Sequence, residues 1–256
     1  MGSHIKIINT LMNMNHIWFL SVLVLTNFLH AEASCIWGNS SASCFNSSLT
    51  TPPTDVPRNI LYLELNYNNI PYLSPEHFTG LVKLLKLMIV SSNVTDIDAD
   101  TFTAVPNLGE LYLASNSLTA LEQGYNLIKE IETETFEHQQ DLTTLHLSHN
   151  NLEFIDKSMF KGLDSLKILH LDNNKISSLP VDVFENTPSL VNIDLNQNNI
   201  NALHIGTFKS LSKLVVLELS ENKLSSIQTG TFEGLIKLNY LNLAFNNIST
   251  LEPKII

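Results

Sequence analysis

Apolar positions in this chain recur in a fixed pattern. The template L-x-x-L-x-L-x-x-N-x-L begins at Ile60, Leu84, Leu108, Leu142, Leu166, Leu190, Leu214 and Leu238, so copies start 24 residues apart except for one step of 34. Seven of the eight copies carry Asn at the ninth position, at Asn68, Asn116, Asn150, Asn174, Asn198, Asn222 and Asn246; the second copy has Ser92 there. A phenylalanine follows at a constant offset, at Phe78, Phe102, Phe136, Phe160, Phe184, Phe208 and Phe232. Three registers that agree over so many copies make internal repetition the dominant signal, and a period of this length predicts a stacked solenoid.

Each recurring residue has a mechanical task. The first, fourth, sixth and eleventh positions point inward from a short strand and the turn after it; one copy cannot bury them alone, and stacked neighbours build a continuous core. The ninth-position amide both donates and accepts, so a column of Asn pairs main-chain groups that a non-helical coil leaves without partners. Ser92, with a single hydroxyl, is expected to do only part of this. The phenylalanines are expected to form a second spine on the convex side, each adding a large apolar area.

Composition and charge narrow the functional classes. A chain of 256 residues that is 44% hydrophobic and 15% charged is a folded rather than a disordered one. Its formal net charge of -11, with only 14 Lys+Arg, offers no basic surface to neutralise phosphates, which argues against nucleic acid and anionic membranes and for a cationic or neutral partner.

The first 33 residues read as a signal peptide. Lys6 and His16 precede a largely apolar run from Ile17 to Leu29, and Ala31-Glu32-Ala33 supplies a small-x-small cleavage pattern before Ser34. The run is shorter than the roughly 20 apolar residues a bilayer span needs, so no membrane insertion is expected after cleavage; an uncleaved anchor is the alternative. Export into an oxidising compartment would pair Cys35 with Cys44, the only cysteines. Sequons at Asn39, Asn46, Asn93 and Asn247 agree with passage through a secretory pathway as a glycoprotein.

With these motifs in place, the array resembles the typical 24-residue class of extracellular leucine-rich repeats found in Toll-like receptors and related secreted or cell-surface proteins. The entry segment is similar as well: Cys35-x8-Cys44 followed by Leu49, Pro53, Asp55, Pro57 and Ile60 resembles the N-terminal cap of such ectodomains, in which a disulfide hairpin covers the first coil. The resemblance implies an α/β solenoid, a leucine-rich-repeat horseshoe with a parallel β-sheet on the concave face and an irregular or short-helical convex side. It also implies a role in protein recognition, of innate-immune, cell-adhesion or receptor type. The expected organisation is a signal peptide over 1–33, a cap over 34–59 and eight repeats over 60–256.

Two departures stand out. The long step places a ten-residue insertion within 117–135, where Ser117-Leu118-Thr119-Ala120-Leu121 and Leu127-Ile128-Lys129-Glu130-Ile131 both fit the turn after Asn116, so one of them must bulge out. The eighth copy reaches Ile256 with no cysteine-rich C-terminal cap, which is expected to expose Leu243, Ile248 and Leu251. Three readings stay open: the chain is an N-terminal fragment of a transmembrane Toll-like receptor or similar protein, its end is covered by self-association, or it is covered by the Lys254-Ile255-Ile256 tail.

Function is expected on the third, fifth, seventh and eighth template positions, which face away from the core. The candidate ligand-binding residues are Tyr62, Glu64, Tyr67, Glu110, Tyr112, His146, His149, His170, Asp172, Asp194, Glu218, Glu221, Tyr240 and Phe245. Six acidic residues on this face (Glu64, Glu110, Asp172, Asp194, Glu218, Glu221) oppose one basic residue, Lys86, so a protein ligand with a cationic patch is expected. Tyrosines at both ends are candidate anchors. His146 and His170 share a template position on adjacent strands, with Asp194 next in the row and His149 and Asp172 beside it, which makes a metal or pH-sensitive site conceivable. A flat face seldom converges tetrahedral ligands, so no metal and no cofactor is assigned. No nucleotide, zinc-protease, serine-hydrolase or C-x-x-C motif occurs, so no enzyme is expected; a metal-dependent enzyme built on the histidine row is the rival class.

Overall fold

A computed structural model describes residues 35–117 and 135–251. The expected leader, nearly all of the insertion and the final tail lie outside these residues. Each of the eight copies forms a three-residue strand at template positions three to five: Tyr62–Glu64, Lys86–Met88, Glu110–Tyr112, Thr144–His146, Ile168–His170, Asn192–Asp194, Val216–Glu218 and Tyr240–Asn242. Neighbouring strands pair in parallel and in register, so the fourth positions follow one another as Leu63, Leu87, Leu111, Leu145, Leu169, Ile193, Leu217 and Leu241. The first, fourth and sixth positions are fully buried from Ile60 through Leu219. Burying one such side chain contributes about 1.5–3 kcal/mol, and here that gain requires a coil on each side. In the last coil Leu238, Leu241, Leu243 and Ile248 are only partly buried, whereas Leu214, Leu217, Leu219 and Leu224 before them are fully so.

The cap is itself a coil, which the template did not register. A hairpin of Ile36–Trp37 and Ser41–Ser43 pairs in parallel with Tyr62–Glu64 and extends the sheet to ten strands. Ala42 and Cys44 take buried fourth- and sixth-position places, and Cys44 is disulfide-bonded to Cys35. This coil is 21 residues from the next, not 24, and has Ser47 where Asn would stand. Its Leu49 N–H and Ser47 N–H both donate to Asn68 Oδ1 at 3.0 Å, so the cap is tied to the array by the same amide column as the repeats.

That column is uniform. In the fifth copy Asn174 Nδ2 donates to Leu147 O of the preceding coil at 3.0 Å and to its own Leu171 O and Asp172 O at 3.0 and 3.2 Å, while Oδ1 accepts from Leu152 N at 3.0 Å. Asn198 and Asn222 repeat the arrangement. The Ser92 exception is met by local exchange. Its hydroxyl donates to Leu65 O at 2.8 Å, and its main-chain carbonyl accepts from Ile70 N at 2.7 Å, the N–H that an Asn Oδ1 would otherwise take.

On the convex side the rings stack as expected. Phe78, Phe102 and Phe136 lie 6.3 and 5.8 Å apart, and Phe160, Phe184, Phe208 and Phe232 are 5.9–6.4 Å apart. Phe136 meets Phe102 across the long step, and Gln139 Nε2 donates to Phe102 O at 2.8 Å, so the repeat regains its register directly after the insertion. Short 3-10 turns at Pro75–Phe78, Thr101–Ala104 and Lys157–Phe160 and two small parallel sheets, Tyr72–Leu73 with Asp96–Ile97 and Ser226–Ile227 with Thr250–Leu251, complete this side. Close coil contact is demanding at Gly162, where φ is +85° and a Cβ would stand 2.1 Å from Glu137 O.

Two stability outcomes follow from this packing. Asn198→Ala leaves the buried Ile176 N without its acceptor and removes one of the two donors to Leu171 O, the other being Asn174 Nδ2. It is expected to cost about 2–4 kcal/mol in urea unfolding, with Asn198→Ser costing roughly half as much because a hydroxyl replaces one bond. Gly162→Ala is expected to lower stability by more than about 2 kcal/mol in the same measurement, because both space and φ oppose it.

Candidate functional site

The concave face carries the outward side chains, and the main chain decides how they stand. The eighth position faces out for a reason other than strand alternation, since the strands end at the fifth. Every eighth-position residue has left-handed backbone: Tyr67, Ser91, Ser115, His149, Asn173, Gln197, Glu221 and Phe245 all have φ between +51° and +59°. Such a residue costs about 1–2 kcal/mol for an L-amino acid, and each from Tyr67 to Glu221 pairs its N–H with the next coil, as His149 N does with Asp172 O at 2.9 Å. The turn throws these side chains outward, leaving Tyr67 54% and Phe245 70% exposed.

At the N-terminal end Tyr62 and Tyr67 are exposed, and Tyr67 lies 5.0 Å from the ring of Phe45 in the cap, a neighbour the repeat template does not reach. Glu64 accepts from Ser43 Oγ at 2.8 Å and from Asn66 Nδ2 at 2.9 Å. Lys86 is held by Glu110 at 2.8 Å and sits 4.4 Å from the centre of the Tyr112 ring, while Tyr112 donates its hydroxyl to Glu110 at 2.9 Å. Burial acts to raise the Glu110 carboxyl, and the hydrogen bonds from Lys86 and Tyr112 outweigh it and hold it below its ordinary value.

From Tyr112 a stack of three rings crosses the sheet. The Tyr112 and His146 rings are 4.4 Å apart at 15°, and His146 and His170 are 4.2 Å apart at 9°. Burial, with the adjacent His170, pushes His146 down to about 4, so it is neutral at pH 7. At the end of the stack His170 Nδ1 faces Asp172 Oδ1 at 3.8 Å and Asp194 Oδ2 at 3.9 Å, and His149 Nε2 stands 3.9 Å from the other Asp172 oxygen. Ser148 Oγ donates to Asp172 Oδ1 at 2.5 Å, and Asn196 donates its N–H and Nδ2 to Asp194 Oδ1 at 3.0 and 2.7 Å. Burial raises the Asp194 carboxyl against the Asn196 hydrogen bond, and Asp172 adds to the rise.

Beyond Asp194 the row continues to Glu218, whose carboxyl burial also raises. Glu221 is exposed and accepts from Gln197 Nε2 at 3.0 Å; Tyr240 and the exposed Phe245 close the C-terminal end. The structure thus brings Tyr112, His146, His149, His170, Asp172 and Asp194 into one contiguous group and leaves Tyr62, Glu64 and Tyr67 at one end and Glu218, Glu221, Tyr240 and Phe245 at the other. Ser148 and Asn196, which orient the aspartates, escaped the sequence reading although both occupy the seventh position, where the register could have found them.

Residues 124–176, 164–224 and 212–255 match the family model described as leucine rich repeat. The chain belongs to the leucine-rich repeat family. The three earlier copies, ahead of the matched region, join it through the same strand register and amide column. No curated protein matches the chain significantly. Among solved structures, it is similar to a leucine-rich-repeat protein of Leptospira interrogans, with 28% identity and a TM-score of 0.62 over 74% of this chain and 44% of that one. It shares the fold of a chain in the octameric complex of Latrophilin 3, Unc5D and FLRT2, in which the leucine-rich repeats are those of FLRT2, with 22% identity and a TM-score of 0.71 over 84% of this chain and 63% of that one. It shares it too with the Drosophila Toll–Spatzle complex, with 19% identity and a TM-score of 0.64 over 83% and 30%. The leucine-rich-repeat chain thus spans less than two thirds of the length of each of these. Among the described residues no helix is long and apolar enough to cross a membrane.

The two carboxylates on either side of the ring stack are expected to respond with opposite sign to neutralisation. Glu110→Gln loses the Lys86 pair and should lower stability by about 0.5 kcal/mol after solvent screening. Glu218→Gln removes a charge that burial disfavours and should leave the urea midpoint unchanged or slightly higher, within about 0.5 kcal/mol.

Proposed function

We propose that this leucine-rich-repeat chain is an extracellular recognition module that binds a protein ligand on its concave face, through a cationic patch of that ligand. The observation that carries this reading is the uncompensated acidity of the face. Lys86, the one basic residue at its outward template positions, is paired with Glu110, while the ion pairs of Asp172 and Asp194 among the described residues are with histidines alone. A partly desolvated row of Asp172, Asp194 and Glu218 attracts a cationic partner more strongly than exposed charges would and steers its approach. Tyr62, Tyr67, Tyr240 and Phe245 flank the row as anchors, and aromatic groups that bury apolar area while keeping a polar edge are frequent hot spots.

The extracellular address is supported by the Cys35–Cys44 disulfide, which persists in oxidising compartments, and by the exposure of all four sequon residues, Asn39, Asn46, Asn93 and Asn247, which leaves them accessible to glycosylation. Leucine-rich-repeat proteins serve generally as interaction scaffolds rather than enzymes. The Toll–Spatzle assembly is described as a hub in development and innate immunity, and the FLRT2 repeats occur in a multiprotein complex. A recognition role of immune, adhesive or receptor type is the corresponding reading here.

Surface plasmon resonance of the glycosylated chain against purified extracellular protein domains tests this. One saturable partner is expected, with affinity falling at least about tenfold in an Asp194→Lys, Glu218→Lys double variant, mainly through slower association and with weaker salt dependence. Asp164→Lys, outside the concave face, should leave it unchanged. Weak binding to many proteins, or a saturable partner indifferent to the double variant, would overturn the assignment.

A further inference from the structure

The group at the end of the ring stack differs from the sequence expectation that no metal ligands converge on this face. His170 ends its strand and Asp172, two residues on in the bend, lies 3.8 Å from its Nδ1, while Asp194 is the register partner of His170 on the next strand. One ligand atom from each of the three lies within 4.8 Å of the other two. The histidine nitrogen is 3.8 and 3.9 Å from the two carboxylates, beyond hydrogen-bond reach, so the three groups surround a space without bonding to one another.

Three further contacts hold these atoms in place. Stacking of the His170 ring on His146, 4.2 Å away and 9° from parallel, fixes the plane in which Nδ1 points. Ser148 Oγ orients the Asp172 carboxylate. Asn196 takes Asp194 Oδ1 with two donors and leaves Oδ2 turned to His170. Outer hydrogen bonds of this kind orient metal ligands in protein sites. The two carboxylates are also poorly solvated, with 14% and 19% of their side chains exposed, and no lysine or arginine among the described residues is ion-paired with either. Two desolvated carboxylates this close favour a bound cation on electrostatic grounds.

We propose that His170, Asp172 and Asp194 form a binding site for a divalent transition-metal ion, zinc in the first instance. One imidazole nitrogen and two carboxylate oxygens form a three-ligand set suited to zinc, whereas magnesium and calcium prefer oxygen-only shells with more ligands. Donor atoms around tetrahedral zinc stand roughly 3.3–3.5 Å apart, so the two histidine–carboxylate distances need to close by about half an ångström, and the two carboxylates, within 4.8 Å of each other, need to move together as well. The fourth position opens to the concave solvent, where water or a group from a partner can complete the shell. The site stands on its own geometry and does not depend on the protein-recognition reading.

Isothermal titration of the purified full chain with Zn2+ is the test, with Ca2+ and Mg2+ as controls and visible absorption of the Co2+-loaded chain as the second readout. We expect one zinc site of this kind, no comparable binding of calcium or magnesium, and cobalt d–d bands of a tetrahedral or five-coordinate site. His170→Ala and Asp194→Asn should each weaken zinc binding at least tenfold and abolish the bands. Ser148→Ala, which touches no ligand space but orients Asp172, should weaken it about tenfold, and His204→Ala, an exposed histidine elsewhere, should leave it unchanged. Circular dichroism reports that each variant is folded. Absence of zinc binding to the parent chain, zinc binding that survives both His170→Ala and Asp194→Asn, or calcium binding of equal strength would overturn the proposal.

Discussion

One ninth-position side chain per repeat, an amide in seven of the eight and the Ser92 hydroxyl in the other, holds the solenoid together. A coil that is neither helix nor long strand leaves N–H and C=O groups facing inward at its bend, and an unpaired buried group of this kind costs about 1–3 kcal/mol. Asn at the ninth position meets several of these groups at once, reaching back to the sixth-position carbonyl of the preceding coil, forward to its own bend, and accepting from the preceding eleventh-position N–H. The contact is repeated from Asn68, which ties down the cap, to Asn246 in the last described coil. The leucine core and the phenylalanine spine stack because this column sets the spacing and angle of one coil on the next.

The same bend shapes the functional face. The bend ahead of position nine puts the eighth residue in left-handed backbone in every copy, including Ser91, which precedes Ser92 rather than an Asn. Tyr67, His149, Glu221 and Phe245 all accept that conformation. From Tyr67 to Glu221 the strain is offset by an N–H bond to the following coil. Position eight is thereby left-handed in every copy, and its occupants range from serine to tyrosine, histidine, glutamate and phenylalanine.

The concave surface divides into zones set by which side chains share a row. At one end Lys86, Glu110 and Tyr112 neutralise one another. In the middle the stacked rings of Tyr112, His146 and His170 make a rigid rib. Past it, among the described residues, no lysine or arginine is ion-paired with Asp172, Asp194 or Glu218, and burial raises the latter two above their ordinary values. Charge on this face is therefore uneven, with one lysine–glutamate pair on one side of the rib and a run of carboxylates on the other.

Much of this was legible in the sequence, because a repeat states its geometry many times over. The register of Leu, Asn and Phe determined the solenoid, its parallel sheet, its inward and outward positions and the stacking of Phe78 to Phe136 and of Phe160 to Phe232, since each coil must bury the same atoms against its neighbour. The list of outward residues was legible for the same reason. The cap coil was not, because Ala42, Cys44 and Ser47 fill the template with small residues and its 21-residue spacing breaks the period. Nor was the way Ser92 replaces an Asn, which depends on its main-chain carbonyl coming within 2.7 Å of Ile70 N. Above all, side-chain direction within a row was undetermined. That His170 Nδ1 turns to both aspartates, with Ser148 and Asn196 holding the carboxylates in place, depends on rotamers chosen by packing between adjacent coils, and only the tertiary structure makes that choice.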